Sequence, residues 1–255
     1  VPAAAAVHEA VEQAKRFGQA KAAGFVNATL RQALRLKDIP FPTAEADPRA
    51  YAEAVLSHPG DVYDRLVELA GPEKALAICR HNNTEPPCIV RLAGGLGPDV
   101  LHNPQVKVLP HESAGMFVVS KATRAILSAW ANKGVAQVQD PTSAKVVSAC
   151  SLKPGQVILD RCCGVGTKTL QMREIAGESS RIVAVDSSPI RCEVLRKMLA
   201  ARRISNVQVF EAAKLPPGGT DMPELFDVAL VDAPCSNSGV LARRPEARYT
   251  QGKDA

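Results

Sequence analysis

From residue 135 onward the chain alternates short apolar runs with longer runs of helical period, and three of the apolar runs end in aspartate. They are QVILD ending at Asp160, RIVAVD ending at Asp186 and FDVALVD ending at Asp232. Runs that apolar suit strands covered on both faces, and the helical stretches between them suit crossovers joining parallel neighbours. We therefore expect an α/β fold built on a doubly wound parallel sheet. Ligands of such sheets sit at the carboxyl ends of the strands, where the three acids fall.

The preceding half has another rhythm. Residues 3–36 read as two helices: Val7, Val11, Ala14 and Phe17 recur at helical spacing, and Gly18 closes the first. The second, from Lys21, would turn Phe25, Leu30 and Leu34 inward and set Arg31 and Arg35 on one polar face. KDIPFPTAEADP is a Pro-rich linker, followed by short helices, with Asp61 capping the second and Gly71-Pro72 opening the third. PPCIVRLA, QVKVLP and GMFVVS read as strands and KATRAILSAWANK as a helix. VAQVQD is a short strand opening the second half, and PTSAKVVSACSL a helix.

Composition excludes some classes. With 46% hydrophobic and 22% charged residues the chain is neither disordered nor collagenous, and no run approaches the roughly 18 apolar residues of a spanning helix. No membrane partner is expected. The net charge of +5 is uneven: residues 1–37 carry +4, 38–133 carry −2 and 134–255 carry +3. This balance is compatible with an RNA partner. Seven cysteines without a C-x-x-C pair point to reduced thiols, no metal and the cytoplasm. We expect a monomer. The first residue is Val1 and no signal-peptide pattern follows, so either a processed start or a chain cut from something longer is expected.

LDRCCGVGTKT runs from strand to turn to helix, and Asp186 follows Gly166 by twenty residues at the next strand end. A carboxylate there meets the ribose of an adenosine-containing cofactor. Asp160 and Asp186 as simple helix caps is the plainer alternative. The dinucleotide pattern G-x-G-x-x-G needs glycine where Thr169 stands, so S-adenosyl-L-methionine, which has no pyrophosphate, is favoured over NAD.

FDVALVDAPCSNSGVLARRPEARY delivers Asp232 and Cys235 into a loop, with Arg243, Arg244 and Arg248 behind them. A cysteine so placed suits nucleophilic or acid–base chemistry, and the arginines suit phosphates. A packed cysteine followed by a solvated basic run remains open on the residues alone.

D-A-P-C-S followed by G-V-L-x-R-x-P resembles the signature of the RNA cytosine-C5 methyltransferases of the Nol/Nop/Sun group. VQDPTSAKVVSACSLKPGQVILDRCCGVGTKT resembles that family's VQD-x-x-S helix, strand and cofactor loop, and GFVNATLR resembles the last helix of a NusB-like RNA-binding domain. The resemblance implies three segments: 1–37 as the end of a NusB-like helical domain, 38–133 as a helical linker with a small α+β RNA-binding subdomain, and 134–255 as the first part of a Rossmann-like methyltransferase domain. It implies that Cys162, Cys163, Gly164, Val165, Gly166, Thr167 and Lys168 line S-adenosyl-L-methionine with Asp186 and Asp232. It further implies RNA, ribosomal RNA in particular, held by Arg31, Arg35, Arg243, Arg244 and Arg248.

The implied reaction is methylation of cytosine C5 through a covalent cysteine adduct, with Cys235 assisting product release and Asp232 activating the base. The family's attacking cysteine lies in a T-C-S or T-C-T motif, which these 255 residues do not contain. The chain as given is thus expected to be catalytically incomplete, truncated at both ends. Its turn also departs from the family's C-A-A-P-G-G-K at Cys163, Gly164, Val165 and Thr167, and Ala212 replaces an aspartate. These departures support the alternative of a non-catalytic RNA-binding relative.

Overall fold

A computed structural model describes residues 2–36, 40–214, 225–235 and 237–250. The described chain forms two compact units: one up to Thr84 together with the segment from Arg244, the other from Glu85 to Arg243. Lys37 to Ile39 at the expected first boundary, Ser236 of D-A-P-C-S and the closing QGKDA lie outside the described residues.

In the first unit, α1 (Ala3–Arg16) and α2 (Ala23–Ala33) pack as a hairpin that buries only Val7 and Ala23 among its own residues. Phe17, Phe25 and Leu34 are exposed, at 80%, 74% and 54%, which corrects the expectation that Phe25 and Leu34 face inward. Two helices share one line of contact, so an apolar stripe wider than that line stays uncovered. α2 also ends at Ala33, so Arg35 sits in the turn beyond it rather than on the face of Arg31.

Three further helices, α3 (Pro48–Ala54), α4 (Gly60–Ala70) and α5 (Pro72–Asn82), close around Ala52, Leu56, Tyr63, Ala75 and Cys79. Pro59, not Asp61, precedes the first turn of α4, so Asp61 lies within that turn beside its exposed N–H groups.

The second unit holds two sheets. Strands β1 (Cys88–Leu92), β2 (Lys107–Pro110), β3 (Met116–Ser120) and β4 (Ala136–Val138) form an antiparallel sheet in the order β2-β3-β1-β4, with α6 (Arg124–Asn132) packed against β4. Its core gathers Val90, Leu92, Leu101, Val119, Trp130 and Ala136. VAQVQD therefore closes this sheet, Val90 facing Val138, instead of opening the parallel one. Three residues need a partner to become a strand, and β1 offers its free edge.

α7 (Pro141–Ala149), capped by the Asp140 side chain on Thr142 N–H, leads into the parallel sheet. Its strands are β5 (Val157–Asp160), β6 (Arg181–Asp186), β7 (Val207–Glu211) and β8 (Val228–Leu230), in the order β7-β6-β5-β8. Crossover helices α8 (Thr167–Ala176) and α9 (Pro189–Ala201) follow β5 and β6. Ile158, Ile182, Val183 and Val185 are fully buried, each worth roughly 1.5–3 kcal/mol of apolar transfer. The strand order reverses between β5 and β8, a crevice-forming point in open parallel sheets.

A candidate cofactor site at the carboxyl edge of the parallel sheet

The turn after β5 is shaped by two left-handed glycines. Gly166, at φ +93°, is the residue before α8, and a Cβ there would collide with Leu195 Cδ1 of α9. Only glycine meets both demands. Gly164, at φ +56°, has open space where a Cβ would stand, and its N–H donates to Asp186 Oδ2 at 2.8 Å. The turn is tied to β6 by Cys163 N–H donating to Val185 O at 2.9 Å. The Cys163 thiol points into the core, and burial pushes it far above the ordinary thiol range. The Cys163 N–H is thus already engaged and its thiol is buried. Cys162 and Thr167 are half-buried and Val165 is 44% exposed.

Three carboxylates border this turn. Asp160 and Asp186 are the last residues of β5 and β6, as expected. Asp186 is buried, with Ser188 N–H donating to Oδ1 at 2.8 Å. Its register partner on β7 is Glu211, so two acids stand side by side at adjacent strand ends. Glu211 is engaged by Lys214 at 2.7 Å and Arg196 at 3.8 Å.

Asp160 is almost fully buried: Oδ2 accepts from Thr169 Oγ1 at 2.6 Å, and Oδ1 has no hydrogen-bond partner. Burial raises its pKa from 3.8 to about 6, against the lowering effect of the Thr169 hydroxyl and the Lys168 charge. Thr169, which breaks the dinucleotide pattern, is therefore the hydroxyl that anchors Asp160. Sequence reasoning missed this pair, although Thr169 lies nine residues on at the spacing of a strand–turn–helix unit.

Asp232 lies two residues past the end of β8 with a half-exposed side chain. Lys168 Nζ, in the first turn of α8, sits 2.6 Å from its Oδ2 and draws the D-A-P-C-S loop to the cofactor turn across 64 residues of sequence. Cys235 follows in that loop and is exposed, its carbonyl accepting from Asn237 Nδ2 at 3.3 Å. The site thus assembles Gly164, Gly166, Lys168, Asp186 and Asp232. Asp160, Asp186 and Asp232 beside the single lysine Lys168 favour a cationic ligand, and the first N–H groups of α8 and the Asp160 Oδ1 add hydrogen-bonding capacity. S-Adenosyl-L-methionine, with a sulfonium, an ammonium and a ribose diol, fits that donor and acceptor set.

The expected RNA-binding arginines are placed differently. Arg31 is exposed, its Nε on Asn27 Oδ1 at 3.0 Å. Arg243 reaches Pro87 O at 3.3 Å and Asp140 at 3.7 Å, and Arg244 lies 3.4 Å from Glu246. Arg248 is turned inward, only 4% exposed, donating to Asn83 Oδ1 at 2.7 Å and Asn82 O at 2.6 Å. A guanidinium is buried at acceptable cost when such oxygens surround it, so Arg248 holds the first unit together rather than facing phosphates. Among the described residues no group of three or more His, Cys, Asp or Glu forms a metal site, and no helix is long and apolar enough to cross a membrane.

Residues 147–255 match the family described as 16S rRNA methyltransferase RsmB/F, and residues 1–35 match the NusB family. Ribosomal RNA small subunit methyltransferase B of Pseudomonas syringae pv. tomato is 29% identical over 261 residues, covering 100% of this chain and 57% of that protein. The chain spans little more than half the length of the curated relatives it matches. Among solved structures, PH0851 superposes with a TM-score of 0.78 at 22% identity, covering 97% of this chain and 57% of that one. NSun6 from Pyrococcus horikoshii, solved with SFG, superposes with a TM-score of 0.59 at 15% identity, covering 70% and 71%. Both superpositions describe a shared fold.

Proposed function

We propose that the chain belongs to the 16S rRNA methyltransferase RsmB/F family that residues 147–255 match, binds S-adenosyl-L-methionine at the carboxyl edge of its parallel sheet and serves C5-methylation of a cytosine in small-subunit ribosomal RNA. The observation that carries this reading is the Lys168–Asp232 ion pair, which sets the D-A-P-C-S loop against the glycine turn and Asp186. The bound cofactor supplies an electrophilic methyl group. Asp186 accepts from the ribose hydroxyls, and the N-terminal turn of α8 faces the methionine end. Asp232, half-exposed and held by Lys168, hydrogen-bonds the polar edge of an unpaired or flipped cytosine. Cys235 in the same loop assists release of the methylated base, and its exposure leaves it reachable by substrate. Arg31, Arg35, Arg243 and Arg244 approach the RNA backbone. In this reading residues 1–37 are NusB-like, 38–133 a linker and small RNA-binding subdomain, and 134–255 the methyltransferase segment of a cytoplasmic monomer.

One observation favours a second reading, an RNA-binding relative without catalysis. Glu211, the acid nearest to the position where Ala212 replaces the family's aspartate, is engaged by Lys214 and Arg196. Calorimetry with S-adenosyl-L-methionine decides between the two. Saturable binding that Asp186→Ala weakens at least tenfold, with the fold intact by circular dichroism, supports the first. RNA binding without any cofactor binding supports the second.

A further inference from the structure

Where the carboxyl-terminal ends of α6, α8 and α9 approach, the second unit holds a cavity of about 590 Å³. The last turns of three helices meet there: Lys133 ends α6, Arg173 lies in the last turn of α8 and Arg202 ends α9. Arg203 and Glu174 complete the charged lining. Glu174 is already claimed by Arg91 at 2.6 Å, and Arg173 by the exposed Glu178 at 2.8 Å. Arg202 donates to the neutral Gln137 amide oxygen at 3.2 Å and feels the Glu174 carboxylate through space without an ion-pair contact to it among the described residues. The buried Nε of Arg173 and of Arg202 are both without a hydrogen-bond partner.

A plainer account is that these cations merely neutralise helix ends. Magnitudes argue against it. Each helix C-terminus carries about −0.5 of a charge, so three supply about −1.5. The lining carries four cations and one carboxylate. A net positive charge remains, and burial lowers the pKa of Arg202, with attraction to Glu174 opposing that shift and repulsion from Arg91 and Arg173 adding to it. Arg203 also holds a left-handed φ of 54° at the rim, a conformation that side chains other than Gly, Asn or Asp rarely adopt.

We propose that this cavity is a phosphate-binding site, separate from the cofactor site, in which Arg173, Arg202, Arg203 and Lys133 receive the phosphoryl oxygens. Two sources share that chemistry, a backbone phosphate of RNA and a free phosphate or nucleotide. Only the RNA source rests on the function proposed above.

The test is a titration of the 255-residue chain with inorganic phosphate, followed by ³¹P nuclear magnetic resonance. Saturable binding is expected, weakened at least fivefold by Arg203→Gln and by Lys133→Gln. Both side chains are exposed, so neither substitution threatens folding. Arg202→Gln, checked by its thermal midpoint, should abolish binding. Cofactor affinity, measured in parallel, stays unchanged in all three variants, whether or not the parent binds cofactor. If single-stranded RNA displaces the phosphate and Arg203→Gln flattens the salt dependence of RNA binding by about 0.7, the source is RNA. If only mononucleotides displace it, the source is free. Absence of phosphate binding, or equal binding by parent and variants, overturns the proposal.

Discussion

In the first unit one fully buried ionisable side chain, His58, is a base. His58 Nδ1 donates to Leu56 O at 2.8 Å, because a carbonyl can only accept, so Nε2 is bare and accepts from Asn82 Nδ2 at 3.2 Å. In the second unit a comparably buried side chain, Asp160, is an acid, with one oxygen on Thr169 and the other without a hydrogen-bond partner. Burial suppresses the charged form of both, which lowers the pKa of His58 below 6.5 and raises that of Asp160 to about 6. The consequences run in opposite directions. Unfolded His58 binds the proton that the folded form resists, so its contribution is complete above pH 6.5 and is lost as pH falls. Folded Asp160 binds the proton that the unfolded form releases, so its contribution is complete below pH 3.8 and is lost as pH rises towards 6. A neutral imidazole with two partners serves packing, whereas the buried Asp160 beside the glycine turn keeps one oxygen without a hydrogen-bond partner.

The sharpest break of that symmetry is Gly166→Ala. A left-handed alanine costs about 1–2 kcal/mol, and displacing the buried Leu195 adds roughly 1–3 kcal/mol. Urea unfolding should show a loss of about 3 kcal/mol, and hydrogen exchange should place it in the second unit, leaving α3 to α5 protected as before. Loss spread evenly over both units would mean that they do not unfold separately.

Thr169→Val removes the hydroxyl that lowers the Asp160 pKa. A stability loss of about 1–2 kcal/mol is expected near neutral pH. The pH window of Asp160 should also move upward, so that the loss shrinks on acidification. A loss independent of pH between 5 and 8 would show that Asp160 does not titrate in that window.

The smallest effect is expected from His58→Gln, which keeps an amide in place of the ring and costs under about 1 kcal/mol at neutral pH. Thermal midpoints of parent and variant should converge as pH falls through the histidine range, because only the parent pays for a buried imidazolium. Parallel pH profiles would remove His58 from the account.

Part of this was legible along the chain. Asp160 and Asp186 were readable as strand ends because an apolar strand that meets a polar turn has to stop. Thr169 marks the break in the dinucleotide glycine pattern. The run FDVALVD marks a strand reaching to Asp232, but pairing stops at Leu230, since its register partner Asp160 is already the last residue of β5. The partner strand's length set that boundary, and no local propensity carries it. Phe25 and Leu34 keep helical spacing yet face outward, because periodicity marks an apolar face without saying whether anything covers it. VAQVQD likewise showed that a strand would form, but not on which sheet.

Alternation of apolar and helical runs, glycines where the backbone turns left-handed, and acids at strand ends follow from residue types, because sterics and hydrophobic period act over a few neighbouring positions. Tertiary structure alone decided that Lys168 meets Asp232, that Arg248 turns inward, that Cys163 packs in the core and that Lys133, Arg173 and Arg202 surround one cavity. Charge and hydrogen bonding act through space and depend on burial, and both are set only once residues far apart in sequence have come together.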